Sequence, residues 1–158
     1  MVRRPGSISI SQPAKKGSVK SQAKPNAMLT AMIVHCHASH STILACAHRE
    51  IPPLHYMVAV SGGPNVPVAP YATFGSEELA EGVVRTLDGR FACLMANHGL
   101  IALGPKLSVA MAIAEEIEEQ GAVYCGTLAI GGPKLLDRAE MDRILKAFGQ
   151  YGQRDARS

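Results

Sequence analysis

The chain has no tryptophan, and Phe and Tyr together make up only 4% of its 158 residues. It also lacks any apolar run near the roughly 20 residues that a membrane-spanning helix needs, which excludes a helical membrane span. No Cys-x-x-Cys pair occurs among Cys36, Cys46, Cys93 and Cys125, and no secretory leader precedes them. They read as reduced thiols in a cytoplasmic protein, each a small apolar core residue. Acidic residues are missing before Glu50, whereas Arg3, Arg4, Lys15, Lys16, Lys20 and Lys24 crowd the first 24 positions. The net charge of +3 therefore owes its sign to that segment, and the rest of the chain is slightly acidic. The remainder is near neutral, without the clustered basic face that a nucleic-acid surface requires.

What is present, 47% apolar and 18% charged residues, describes one soluble domain rich in Ala, Gly, Val and Leu. Residues 1–26 carry almost no hydrophobic periodicity and read as a disordered basic tail. Their Ser- and basic-rich character also resembles a transit peptide, but no clear amphipathic helix supports that. The folded domain is expected over 27–152, with 153–158 as a second tail. Ala27 to Cys36 reads as a buried strand, followed by a helix to Arg49 capped by Ser39, Ser41 or Thr42. A second helix is expected from Gly75 to Asp88, with Ser76 as N-cap and Leu79, Val83 and Leu87 on its inner stripe. Phe91–Ala96 and Leu100–Leu103 read as strands flanking Asn97-His98-Gly99. The longest helix falls within 105–130, with Val109, Ile113, Ile117, Gly121, Tyr124 and Leu128 inward and Glu115, Glu116, Glu118 and Glu119 in water. Asp137-x-x-Glu140 resembles a capping box that opens a last helix.

Chemistry concentrates in Val34-His35-Cys36-His37. Side chains of a strand alternate faces, so His35 and His37 share one face and Cys36 takes the other. Such a pair is half of a metal site or an ordinary pair of surface histidines. His98, on a turn beside Gly99, is a candidate third ligand. Three neutral imidazoles with one open position make the donor set of a catalytic zinc. From spacing alone, His98 could equally be a hydrogen-bonded turn histidine.

Four stretches carry a resemblance: Val34-His35-Cys36-His37, Ile51-Pro52-Pro53-Leu54-His55-Tyr56-Met57, Ala69-Pro70-Tyr71-Ala72-Thr73-Phe74-Gly75 and Asn97-His98-Gly99-Leu100-Ile101-Ala102. In order and in register, they resemble the class II aldolase/adducin family, nearest to its L-fuculose-phosphate aldolases, from about Ala27 to Gly152. The resemblance implies a three-layer α/β/α fold with a mixed, mostly antiparallel sheet, assembled as a homotetramer with sites between subunits. It implies that His35, His37 and His98 bind Zn2+. It implies that Tyr56 hands a proton to the aldehyde oxygen, and that Phe74 and Tyr151 line or close a neighbouring subunit's site. The implied reaction is cleavage of a phosphorylated ketose, such as L-fuculose 1-phosphate, to dihydroxyacetone phosphate and an aldehyde, with no Schiff-base lysine.

The family's N-terminal half has no counterpart here, so the domain is expected to be truncated, with an exposed sheet edge. With that half go the phosphate-cradling loops and a Ser-Ser-Glu acid/base motif, whose place falls near Pro13-Ala14-Lys15-Lys16. Two functional classes follow. One is an aldolase-type enzyme, weak or inactive as it stands. The other is a non-catalytic module like the adducin head. Pentulose-5-phosphate epimerases and thio-sugar-phosphate dehydratases of the family share the histidines.

Overall fold

The computed structural model describes residues 8–11 and 31–151. Five strands form one sheet: β1 (Ile8–Ser11), β2 (Met32–Cys36), β3 (Val68–Ala69), β4 (Ala92–Met95) and β5 (Gly99–Gly104), in the order β1-β2-β5-β4-β3. Only β3 and β4 run parallel; every other pair is antiparallel. The helices are α1 (Ser39–Cys46), α2 (Glu77–Thr86), α3 (Leu107–Ala129) and α4 (Arg138–Tyr151). A 3₁₀-helix spans Tyr56–Ser61. This is the mixed, mostly antiparallel sheet between helical layers that the sequence led us to expect.

The sheet separates two apolar clusters because alternate residues of each strand point to opposite sides. Val34 and Cys36 of β2, Leu94 of β4 and Leu100 and Ala102 of β5 meet Leu44 of α1, Ala110, Ala114 and Ile117 of α3 and Met141 of α4. On the other side Cys93, Met95 and Leu103 meet Val83 of α2 and Leu87 at its end, and α2 rests on β3 and β4. Strand β4 is buried on both faces, which is why its four residues are all apolar.

Several local signals act as expected. The Ser76 hydroxyl accepts the Leu79 N–H at 3.1 Å and opens α2, and the Asp137 carboxylate accepts the Glu140 N–H at 2.8 Å to open α4. Others do not. Ile8–Ser11, expected as tail, pairs with β2, with Ser9 opposite His35. The reason is that an open strand edge presents unpaired N–H and C=O groups that a short alternating segment can satisfy. The remainder of 1–26, and 153–158, lie outside the described residues. Cys46 is exposed instead of buried. On α3 the inner stripe is Ala110, Ala114, Ile117, Gly121 and Tyr124, with Val109 and Leu128 facing outward.

The main correction concerns α1, whose N-terminus has no side-chain cap from Ser39, Ser41 or Thr42. Glu118 of α3, expected in water, supplies it instead. One carboxylate oxygen accepts the His40 N–H at 2.8 Å and the His40 Nδ1–H at 3.0 Å, and the other accepts the Ser41 N–H at 2.8 Å. Gly121 one turn later lets the two helices meet, with its α-carbon facing the His40 β-carbon.

Burial by itself would raise the Glu118 carboxyl, but the His40 and Ser41 donors outweigh it and hold the group below its ordinary value. A carboxyl depressed in the folded state adds stability that is complete above its unfolded pKa and is lost as pH falls through the folded one. Glu118→Ala is expected to cost about 1–2 kcal/mol at neutral pH, read as an earlier urea midpoint. The gap to the parent should narrow below the ordinary Glu value of 4.5. A second expectation concerns Gly99, where a β-carbon would lie 2.5 Å from the Cys36 carbonyl oxygen and 3.0 Å from the His37 ring. Gly99→Ala is expected to destabilise by about 1–3 kcal/mol through overpacking of the β2–β5 pair, measurable by thermal melting.

Candidate metal centre

The β2–β5 ladder positions the histidines. Its register sets His35 opposite Ile101 and Cys36 opposite Leu100, so the residues just beyond β2 lie beside the turn that precedes β5. Cys36 turns into the main core, and His35 and His37 project from the opposite face. His98 sits on the three-residue turn between β4 and β5, its N–H donating to the Met95 carbonyl at 3.0 Å. Gly99 provides the bare backbone that lets the His37 ring lie against this turn.

The outcome is a cluster in which one nitrogen from each of His35, His37 and His98 lies within 4.8 Å of the others. Ring centroids are 4.8 Å apart for His35–His37 and His35–His98, and 5.1 Å for His37–His98. The Nδ1–H of His35 donates to the Leu100 carbonyl at 2.9 Å. A carbonyl only accepts, so Nδ1 carries the proton and the Nε2 lone pair of a neutral His35 faces the cluster. That atom lies 3.1 Å from Nε2 of His37.

These features fit a small cation. Its bonds to imidazole nitrogen are about 2.0–2.1 Å for zinc, which suits two donors 3.1 Å apart. A backbone carbonyl orienting the far nitrogen is the usual support behind a ligating imidazole. Burial, and then the neighbouring His35 and His37, push the His98 imidazole below its ordinary pKa. The neutral form, the one that ligates, is thereby favoured. Among the described residues no Asp or Glu joins the cluster, so the donor set is three nitrogens.

The remaining sequence candidates are elsewhere. Tyr56, half exposed at 52%, opens a groove of about 480 Å³ together with Met57, Ile144, Ala147 and Phe148. Its ring leans on His55, 4.6 Å away between centroids. Phe74 stands 81% exposed ahead of α2, so it is not packing at the start of that helix. Among the described residues no ring contact joins either of them to His35, His37 or His98. Tyr151 is the last residue of α4, and its side chain lies outside what is described. His40 is bound to Glu118 and does not join the three imidazoles. The cysteines are free, and burial pushes the thiols of Cys36 and Cys125 up and that of Cys93 to about 12, which suits inert packing groups.

The residue that sequence reasoning missed is Glu118. Its position carried a signal, since it falls four residues after Ala114 and three before Gly121 on the buried side of α3, where an unpaired carboxylate is costly.

Comparison with known proteins agrees with this architecture. The family described as Class II Aldolase and Adducin N-terminal domain matches residues 25–125. The chain is 46% identical over 120 residues to a 5-methylthioribulose-1-phosphate/5-deoxyribulose-1-phosphate aldolase of Rhodospirillum rubrum, covering 76% of this chain and 54% of that protein. It is 42% identical over 134 residues to an L-fuculose phosphate aldolase of Escherichia coli, covering 84% and 61% respectively. A solved L-fuculose 1-phosphate aldolase superposes with a TM-score of 0.73 at 40% identity, over 75% of this chain and 55% of that one. The chain thus spans a little over half the length of these relatives. With its matched residues, mixed sheet and gathered histidines, it belongs to the class II aldolase and adducin family.

Proposed function

We propose that this chain forms the metal-holding part of a zinc-dependent aldehyde-lyase acting on a ketose 1-phosphate. The observation that carries the reading is the convergence of His35, His37 and His98 with the His35 lone pair already aimed inward. Three neutral imidazoles from two rigid strand ends make a donor set with room for a further oxygen ligand. When bound, zinc would supply Lewis acidity, drawing electron density from the substrate's carbonyl.

Relatives named for L-fuculose phosphate, 5-methylthioribulose 1-phosphate and 5-deoxyribulose 1-phosphate support a ketose 1-phosphate as the substrate class. Dihydroxyacetone phosphate and an aldehyde are then the products. Tyr56 is assigned the proton at the aldehyde oxygen: its phenol gives the proton in condensation and takes it back in cleavage. Its exposure suits a group that completes a site in another subunit. Phe74 and Tyr151 are assigned to the same inter-subunit wall, and the bare rings of Tyr71, Phe74 and Phe91 favour assembly, here as a homotetramer. The reading places the protein in the cytoplasm; among the described residues no helix is long and apolar enough to cross a membrane.

Metal analysis after dialysis is expected to find about one zinc per chain in the parent and almost none in His98→Ala, since three nitrogens are needed to hold the ion. Unchanged metal content in the variant would sink the site. Cleavage of L-fuculose 1-phosphate or 5-deoxyribulose 1-phosphate, followed as dihydroxyacetone phosphate, is expected to be slow. The cause is that no carboxylate stands among the described ligand cluster to move protons. Tyr56→Phe should lower the residual rate and leave the metal content unchanged. Fast turnover by the parent would assign the proton transfers to another group.

A further inference from the structure

Among the described residues, His48 and Asn97 have positive φ without being glycine, at 51° and 54°. In this left-handed region a β-carbon is strained and glycine is not. His48 follows the C-terminal end of α1, where the Arg49 N–H donates to the Leu44 carbonyl at 2.9 Å and the His48 N–H donates to the Ala45 carbonyl at 3.1 Å. This bond pair commonly ends a helix at glycine. Asn97 is the middle residue of the turn into β5, and its N–H donates to the same Ala45 carbonyl at 3.1 Å. Two positions that glycine would relax therefore keep side chains, and those side chains meet. The His48 Nε2–H donates to Asn97 Oδ1 at 2.6 Å. Asn97 is the residue next to His98.

We infer that His48 is a positioning residue for the metal centre, holding through Asn97 the turn that presents His98. The inference rests on reading His35, His37 and His98 as zinc ligands. Strain retained at two sites whose side chains, among the described residues, bond only to each other is most simply explained by what the bond fixes. Both residues are exposed, so water competes for the bond and its share of global stability is small. Its effect falls on the turn. With Asn97 tethered by its N–H and its side chain to the end of α1, the His98 backbone has little left to order when an ion binds.

His48→Gly removes the bond and relieves the left-handed strain together, so affinity and stability are expected to part. Zn2+ competition against a chromophoric chelator should give the variant an affinity weaker by about 3–10-fold, below the roughly 10–100-fold typical of a direct partner to a ligand. The thermal midpoint of the metal-free variant should equal or exceed the parent's. His48→Gln, whose amide nitrogen reaches about as far as the Nε2 of histidine, should recover most of the affinity. Equal Zn2+ affinity in the parent and His48→Gly overturns the inference. A midpoint that falls along with the affinity also overturns it, because His48 would then be a general stabiliser. A parent that binds no more Zn2+ than His98→Ala removes the metal reading itself, and this inference with it.

Discussion

The antiparallel pairing of β2 with β5 is the constraint from which the rest follows. It sets Cys36 against Leu100 and so brings the end of one strand beside the start of the other. His35 and His37 at the first, and His98 at the second, become neighbours although more than 60 residues separate them in the chain. The same ladder supplies the Leu100 carbonyl that fixes the His35 tautomer. A slip of one residue would exchange the faces of β2, sending the imidazoles into the main core and Cys36 and Val34 out of it. Hydrophobic sorting and the histidine cluster therefore depend on one register.

Helix α1 translates that register into a rigid site. At eight residues it is too short to hold itself together alone, and its stability has to come from tertiary partners. Its N-terminus, two residues after His37, is held by a carboxylate from α3; its C-terminal Ala45 carbonyl takes the N–H of the His98-bearing turn. One helix thus braces both histidine-bearing segments against the sheet, and its buried Leu44 and Ala45 anchor it to the core.

What the sequence made legible was local. Ser76 and Asp137 cap the helices they precede because their partners lie three residues on. The β4–β5 hairpin announced itself through an Asn-His-Gly turn between apolar runs, and face alternation along β2 separated His35 and His37 from Cys36. What was hidden depended on partners far along the chain. Glu118 looked like part of a solvated acidic face because its donors lie 77 and 78 residues away. The Ile8–Ser11 strand was invisible because its pairing is decided by the open edge of β2 and not by its own composition. Val109 and Leu128 misled for a related reason: the sheet and α1 meet α3 along small residues, Ala110, Ala114 and Gly121, which allow close approach.

The unequal division of the core bears on motion. Among the described residues 17 buried side chains form the cluster beneath α1, α3 and α4, whereas six form the one beneath α2. A layer held by so few side chains opens at a lower free energy than the body of the domain, so its amide protons exchange with solvent first. Ile33 and Ile101, on the same face of the sheet as the imidazoles, pack against that thinner cluster. The histidine cluster therefore lies at the boundary between the thicker frame that carries it and the thinner flank expected to exchange faster.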